Sequence, residues 1–341
     1  MTTCRIDINS GKKIIDAECG TALIDILAAQ NIFLPSACGS SGKCGLCKVT
    51  IGSGINSFTD AENSLLSENE KDSSVHLACQ VRVSGDIRIE IPSEYLGARE
   101  FVSVVKSKSV LTRDIVELTL SLISPSGMNF NAGQYITLKM PSNGDNKSAM
   151  RPFSIASSNT EKSQIQLNIR LNPQGTVTPW IFNTLQIGDE VAFSGPRGNF
   201  FMRNTMNPML FIAGGSGMAP LRSILQTMSA HKSTRKVMYF FGALTQNDLF
   251  YIDEMAMYEK VLPNFKFIPA LSNEPSESAW QGERGLVIEA VDRICSQLNG
   301  YEAYLCGKPA MIEGCTVALE KKGIDRSQVF FDLFNSPKPV K

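Results

Sequence analysis

The sequence is short of the features that mark several large classes of protein. Only two histidines, His76 and His231, occur in 341 residues. No acid–base constellation surrounds either, so both read as structural or surface residues, and a general base or nucleophile of the hydrolase kind is not in sight. The two tryptophans, Trp180 and Trp280, read as packing. Basic and acidic residues balance at 33 each, which leaves no net positive charge to hold a nucleic acid. No stretch approaches 18 consecutive apolar residues, which argues against a membrane span. The first residues, MTTCRIDINS, have no basic-then-apolar signal pattern, so a cytoplasmic protein is expected. Internal repeats and low-complexity tracts are absent as well.

What remains is a globular composition, 43% apolar and 19% charged, at a length that suits two or three domains. The nine cysteines are unevenly placed: Cys4, Cys19, Cys38, Cys44, Cys47 and Cys79 fall in the first quarter, and Cys295, Cys306 and Cys315 beyond it. In a long cytosolic chain this does not suggest a disulfide framework. It suggests a small cysteine-bearing module fused to something larger.

The chain divides into three segments. Residues 1–93 read as a compact α+β unit, with strands in CRIDIN and KKIIDAE, a helix in TALIDILAAQ, and further strands in LCKVTIG and IRIEI. Over residues 1–95 there are 12 acidic against 8 basic residues, so this unit is mildly negative. After the polar linker SEYLGARE, residues 99–204 are strand-rich with turn residues between, the pattern of an antiparallel barrel. Residues 205–335 alternate strand and helix, the pattern of a doubly wound parallel sheet.

Within the first unit, ACGSSGKCGLCK (residues 37–48) spaces Cys38, Cys44 and Cys47 as C-x5-C-x2-C, and Cys79 follows in HLACQV. Four thiolates suit a zinc ion or an iron–sulfur cluster. Structural zinc sites more often use two C-x2-C pairs, and here there is one. Gly39, Gly42 and Gly45 let backbone N–H groups approach cluster sulfurs, which favours the cluster. Cys4 and Cys19, on expected strands outside the pattern, read as buried thiols.

These residues resemble a plant-type [2Fe–2S] ferredoxin, including the LACQ around the last cysteine. The first gap is five residues where four is usual, and in this it resembles the ferredoxin module of the sodium-pumping NADH:quinone reductase flavin subunit, though a membrane anchor such as that subunit carries is not expected here. RPFSIAS resembles the R-x-[YF]-S signature of the ferredoxin–NADP reductase superfamily. By that resemblance Arg151 serves the flavin pyrophosphate, Phe153 the isoalloxazine ring and Ser154 the flavin N5, with Pro152 also among the cofactor-binding residues. IRLNPQGTVT resembles the second flavin segment, which implicates Ile169, Arg170, Gly175, Thr176, Val177 and Thr178 in FAD binding.

FIAGGSGMAP is a strand entering a glycine turn and a helix, where small residues admit a pyrophosphate to backbone amides. Gly214, Gly215, Ser216, Gly217, Met218, Ala219 and Pro220 are its candidate coenzyme residues. YLCGKPAM resembles the superfamily's C-G-x-P-x-M motif, which adds Gly307, Pro309 and Met311 and sets Cys306 beside the nicotinamide. FFDLFNSP resembles the terminal acidic-x-aromatic element, with Phe334 as the flavin-covering aromatic. Residues 242–257 and the loop LSNEPSESAW hold no basic residue. A 2′-phosphate reader needs one, so NADH is the expected coenzyme. Leu244 stands where relatives commonly carry arginine.

The resemblance covers nearly the whole chain and is to the reductase component of bacterial multicomponent oxygenases. It implies electron flow from NADH through FAD and a [2Fe–2S] cluster to a protein acceptor, an oxygenase component or its ferredoxin, from a monomer. Three other readings stay open: a reductase feeding a deoxysugar-biosynthesis dehydratase, a soluble relative of the quinone reductase's flavin component, and a redox-sensing regulator.

Overall fold

The computed structural model describes residues 2–30, 32, 34, 40, 42, 45, 47–54, 57–92, 95–96, 98–141 and 149–334. Three sheets account for the architecture. The first belongs to the cysteine-bearing unit: β1 (Thr3–Ile8), β2 (Lys13–Glu18), α1 (Leu23–Ala29), β3 (Lys48–Ser53), α2 (Asp60–Leu65), α3 (Glu68–Asp72), β4 (Val75–Leu77) and β5 (Ile87–Glu90). Its sheet runs β2-β1-β5-β3-β4, with β1 and β5 parallel. In β1 every second residue, Cys4, Ile6 and Ile8, is buried, so one pleat face meets the core, and the apolar face of α1 covers it with Leu23, Ile24, Ile26 and Leu27. The acidic stretch after β3 forms α2 and α3, each started by a capping box, on Thr59–Glu62 and Ser67–Glu70.

Six strands make the second unit: β6 (Arg99–Thr112), β7 (Ile115–Ser124), β8 (Tyr135–Met140), β9 (Ala149–Ser154), β10 (Gln164–Arg170) and, after α4 (Val177–Asn183), β11 (Glu190–Arg197). The order is β10-β7-β6-β11-β8-β9, and a bridge between Ile155 and Leu167 ties β9 back to β10 and closes a barrel. RPFS lies within β9.

The third unit alternates β12 (Met209–Gly214), α5 (Met218–Ala230), β13 (Val237–Ala243), α6 (Ile252–Val261), β14 (Phe265–Leu271), β15 (Glu283–Arg284), α7 (Val287–Ile294), β16 (Glu302–Gly307), α8 (Pro309–Lys321) and β17 (Val329–Leu333). The sheet is parallel, in the order β15-β14-β13-β12-β16-β17. Helices α5 and α6 cover one face and α7 and α8 the other, so β12 reads Met-Leu-Phe-Ile-Ala with no polar alternation. The strand order reverses beside β12, and the carboxyl ends of β12 and β16 open a crevice there, the usual ligand position in such sheets.

Candidate functional site

Two of the four ferredoxin thiols, Cys38 and Cys44, fall outside the described residues, as does Gly39. The other two converge. Cys47 precedes β3 and Cys79 follows β4; Lys48 pairs with Leu77, and the Ala78 N–H donates to the Cys47 carbonyl at 2.8 Å. Gln80 Nε2 lies 3.4 Å from Cys79 Sγ. Gly42 has φ +70°, and a Cβ there would stand 2.7 Å from Gln80 Nε2. The left-handed φ favours glycine there and brings the loop backbone close to the Gln80 side chain beside Cys79, and that closeness with the cysteine sulfurs fits a cluster cradle.

Beneath this segment lies a pair that sequence reading missed. His76 is not isolated: its Nδ1 sits 3.1 Å from Glu62 Oε1, and both side chains are buried. The same oxygen accepts the Leu77 N–H at 2.8 Å, while Oε2 accepts from Thr59. Phe58 stacks on the imidazole at 4.4 Å. The signal was Thr59-x-x-Glu62, a capping-box spacing. His231, by contrast, caps α5, with Nδ1 2.8 Å from the Thr227 carbonyl oxygen.

Cys4 and Cys19 also differ from expectation. Cys19 lies just beyond β2, and the two form a disulfide across the β1–β2 hairpin. Antiparallel register sets Cys4 opposite Ala17, which brings Cys19 within bridging distance at a Cα–Cα separation of 5.3 Å.

The barrel brings Arg151, Phe153 and Ser154 along β9, with Phe153 packed on the barrel core. The Ser154 hydroxyl donates to Asp332 Oδ2 at 2.8 Å, joining the barrel to the last strand of the third unit. Burial raises the Asp332 carboxyl to about 6, against the Ser154 hydrogen bond, which lowers it. Asp332 is the acidic member of the terminal element, whose aromatic alone drew notice in the sequence. Phe334 follows β17, its N–H bonded to the Gly307 carbonyl at 2.9 Å. Arg170 ends β10 and pairs with Asp114 at 2.7 Å. In the second flavin segment Thr178 Oγ1 accepts the Asn172 N–H at 2.9 Å and so shapes the turn that carries Gly175.

A cleft of about 550 Å³ opens at the crevice between β12, β13 and α8. Gly214, Gly215 and Met311 line it, together with Arg170 and Leu244. Gly215 adopts φ +56°, and a Cβ there would lie 2.7 Å from Arg170 Nη1; a Cβ on Gly217 would lie only 2.4 Å from the Cys306 carbonyl oxygen. The glycines thus serve two close approaches, of a guanidinium and of a strand end. Ser216, Gly217, Met218, Ala219 and Pro220 are buried behind the cleft wall. Cys306 is fully buried in β16, and burial, with the Asp332 charge, pushes its thiol well above the ordinary value; at neutral pH it stays protonated. The cations on the cleft wall are Arg170 and Lys308, while Asp114 and Asp248 also line it.

Barrel and third unit are joined by a buried polar network. Arg222 of α5 reaches Glu254 at 2.9 Å, Glu117 at 3.4 Å and Gln166 Oε1 at 2.9 Å, and lies 4.2 Å over the Tyr251 ring. Tyr251 donates to Glu117 at 2.6 Å and Ser223 to the Ser157 carbonyl at 2.6 Å.

A thiol cradle, a barrel edge bearing Ser154 and a glycine-lined crevice define an NADH-dependent flavin and iron–sulfur oxidoreductase. Comparison with known proteins agrees. Residues 3–84 match a 2Fe-2S iron–sulfur cluster binding domain, 103–202 an oxidoreductase FAD-binding domain and 211–316 an oxidoreductase NAD-binding domain. The F component of the Na(+)-translocating NADH-quinone reductase of Neisseria gonorrhoeae is 31% identical over 372 residues, covering 96% of this chain and 91% of that one. Among solved structures, the Amycolatopsis cytochrome P450 reductase GcoB superposes with TM-score 0.79 at 29% identity, covering 97% of this chain and 99% of that one. The ferredoxin reductase in carbazole 1,9a-dioxygenase gives 0.74 at 26%, covering 98% and 99%. The chain belongs to the [2Fe–2S] flavoprotein reductases of the ferredoxin–NADP reductase superfamily, with FAD, NADH and the cluster as its cofactors. No helix among the described residues is long and apolar enough to cross a membrane.

Proposed function

We propose that this chain is the reductase component of a bacterial multicomponent oxygenase, working as a cytoplasmic monomer on a separate protein acceptor. The observation that carries the reading is whole-length likeness, module by module, to a cytochrome P450 reductase and to the ferredoxin reductase in carbazole 1,9a-dioxygenase. Its domains are taken as residues 1–93, 99–204 and 205–335. When bound, the nicotinamide supplies a hydride, the flavin accepts the electron pair, and the cluster passes electrons on singly.

The reading assigns each residue a task. Cys38, Cys44, Cys47 and Cys79 hold the cluster. Arg151 and Arg170 bring positive charge to FAD phosphates, and Phe153 and Phe334 bracket its ring system. Ser154 and Asp332 share a proton between Oγ and Oδ2 at the hydride-accepting edge. Gly214 and Gly215 admit the coenzyme pyrophosphate, and Leu244 meets the adenosine where an NADPH reader would set a cation. Neutral, buried Cys306 shapes the nicotinamide pocket and attacks nothing.

The likeness to the NADH-quinone reductase component, and the five-residue first cysteine gap, favour a second reading in which the acceptor is a quinone. An anaerobic NADH titration followed by absorbance and electron paramagnetic resonance tests both. Flavin bleaching followed by a reduced [2Fe–2S] signal is expected. Bleaching with no cluster signal would remove both readings. Turnover on a quinone as fast as on a one-electron protein acceptor would favour the second.

A further inference from the structure

The stretch between β13 and α6 ends on a strained residue whose side chain reaches into the barrel. Tyr251, immediately before α6, has φ +57° and ψ +24°, in the left-handed region that a bulky side chain seldom enters. Such a conformation persists only where its surroundings over-determine it. The hydroxyl's partners both belong to the barrel: it donates to Glu117 Oε2 of β7 at 2.6 Å and stands 3.0 Å from Asn168 Oδ1 of β10. The Arg222 guanidinium lies 4.2 Å from the ring centre, and the Phe250 ring meets it edge-on at 5.1 Å.

What Tyr251 holds is one wall of the cleft. Leu244 and Asp248, just upstream, line it. The segment that carries them is braced from within. The Thr245 N–H and hydroxyl both donate to Asp248 Oδ2 at 3.0 Å, and the Asp248 and Leu249 N–H groups bond back to the Thr245 and Gln246 carbonyls. A braced segment moves as one piece, so anchoring Tyr251 on the barrel also anchors Leu244 and Asp248. The facing residues, Thr112 and Asp114, come from the barrel's own β6–β7 turn. Arg113 of that turn adds only an exposed pair with Asp248 at 3.8 Å, of a kind that contributes little. The cleft therefore spans the seam, and the bond from Tyr251 to Glu117 fixes how its two walls stand.

Strand order says which half of a dinucleotide this wall meets. Leu244 follows β13 and Cys306 lies near the end of β16, with β12 between the two strands. Two strand spacings, about 10 Å, separate the positions. The nicotinamide half can keep its seat at β16 when the Leu244 wall shifts.

We propose that Tyr251 is a positioning residue for the coenzyme: its bond to Glu117 holds the Leu244–Asp248 wall against the adenosine half, and so sets affinity for NADH without setting the rate of hydride transfer. This rests on the reading that Leu244 meets the adenosine. Tyr251→Phe keeps the ring beside Arg222 and removes the hydroxyl. Tyr251→Ala removes both.

Calorimetric titration of the holoprotein with ADP-ribose, which has the adenosine and pyrophosphate but no nicotinamide, reads the wall directly. Its Kd is expected to rise about three- to tenfold in Tyr251→Phe, as the net value of one hydrogen bond implies, and further in Tyr251→Ala. In anaerobic stopped-flow, the NADH concentration for half-maximal flavin bleaching should rise by the same factor while the limiting rate stays at the wild-type value, the pattern of lost uniform binding. Reduced nicotinamide mononucleotide, which lacks the adenosine, should bleach the flavin of wild type and variants alike. Unchanged ADP-ribose affinity in both variants would overturn the proposal. So would a fall in the limiting rate, or an equal loss with the mononucleotide, since either would mean a general loosening of the seam. If the wild type itself binds no ADP-ribose, the placing of adenosine at Leu244 fails instead.

Discussion

The molecule has two joints, built differently. Barrel and nicotinamide domain are welded by buried charge: Arg222 is shared among Glu117, Glu254 and Gln166, with Tyr251 and Ser223 adding bonds across the seam. Among the described residues no ion pair joins the ferredoxin unit to either neighbour. The difference matches what each crossing requires. Hydride transfer needs reacting atoms in van der Waals contact and aligned, so a small misplacement costs much of the rate. Electrons cross gaps that a hydride cannot, so the ferredoxin joint can be lighter. It needs an orientation more than a weld.

Three experiments break or sharpen that contrast. Arg222→Ala has the largest expected effect. It removes a buried cation and leaves the half-buried carboxylates of Glu117 and Glu254 without it, so the barrel–nicotinamide pair loses about 3–5 kcal/mol. Differential scanning calorimetry should show this transition moving down while the ferredoxin transition stays. A single transition shifting as a whole would mean that the two joints are equally strong.

Cys4→Ser acts on the other side. The disulfide closes a loop of 15 residues wholly inside the ferredoxin unit, which in the chain-entropy account contributes about 3 kcal/mol. The variant should lower only the ferredoxin transition. Added reductant should lower the wild type to the variant's value and leave the variant unchanged.

Asp332→Asn has the smallest effect and concerns the seam's titratable clasp. The fold holds this carboxyl at about 6 against 3.8 unperturbed, so between those values the native state binds more protons than the unfolded chain. Its contribution to stability is therefore complete below pH 3.8 and is lost as pH rises through 6. Over that interval the loss is no more than about 3 kcal/mol. The asparagine variant should show a flatter dependence of melting temperature on pH between about 4 and 7. An unchanged slope would assign the dependence to other groups.

Much of this was legible in sequence because it is local. Apolar β12 entering Gly214 and Gly215 announces its crevice within a single short stretch, and Cys47 and Cys79 are ligand types at recognisable spacing. What escaped was long-range. His76 looked solitary because its carboxylate lies 14 positions away, on a different element. Asp332 is 178 residues from Ser154, and no periodicity links them. The Cys4–Cys19 bridge was missed because redox compartment argued against disulfides, whereas hairpin register alone decides whether two thiols meet. Arg222 gave no signal at all; an arginine inside an apolar helix face gains meaning only once the carboxylates of another domain pack on it.

The pairing of Ser154 with Asp332 also bears on the order in which the protein is made. The ferredoxin unit is contiguous and emerges before the barrel, so it can fold while the barrel is still being made. The barrel follows, with Ser154 already in its strand. The partner carboxylate sits on β17, at the edge of the third sheet, and is made only after the whole barrel. A nascent chain can thus carry finished ferredoxin and barrel folds while the hydroxyl of Ser154 still lacks its carboxylate, and a chain truncated before Val329 would stay that way.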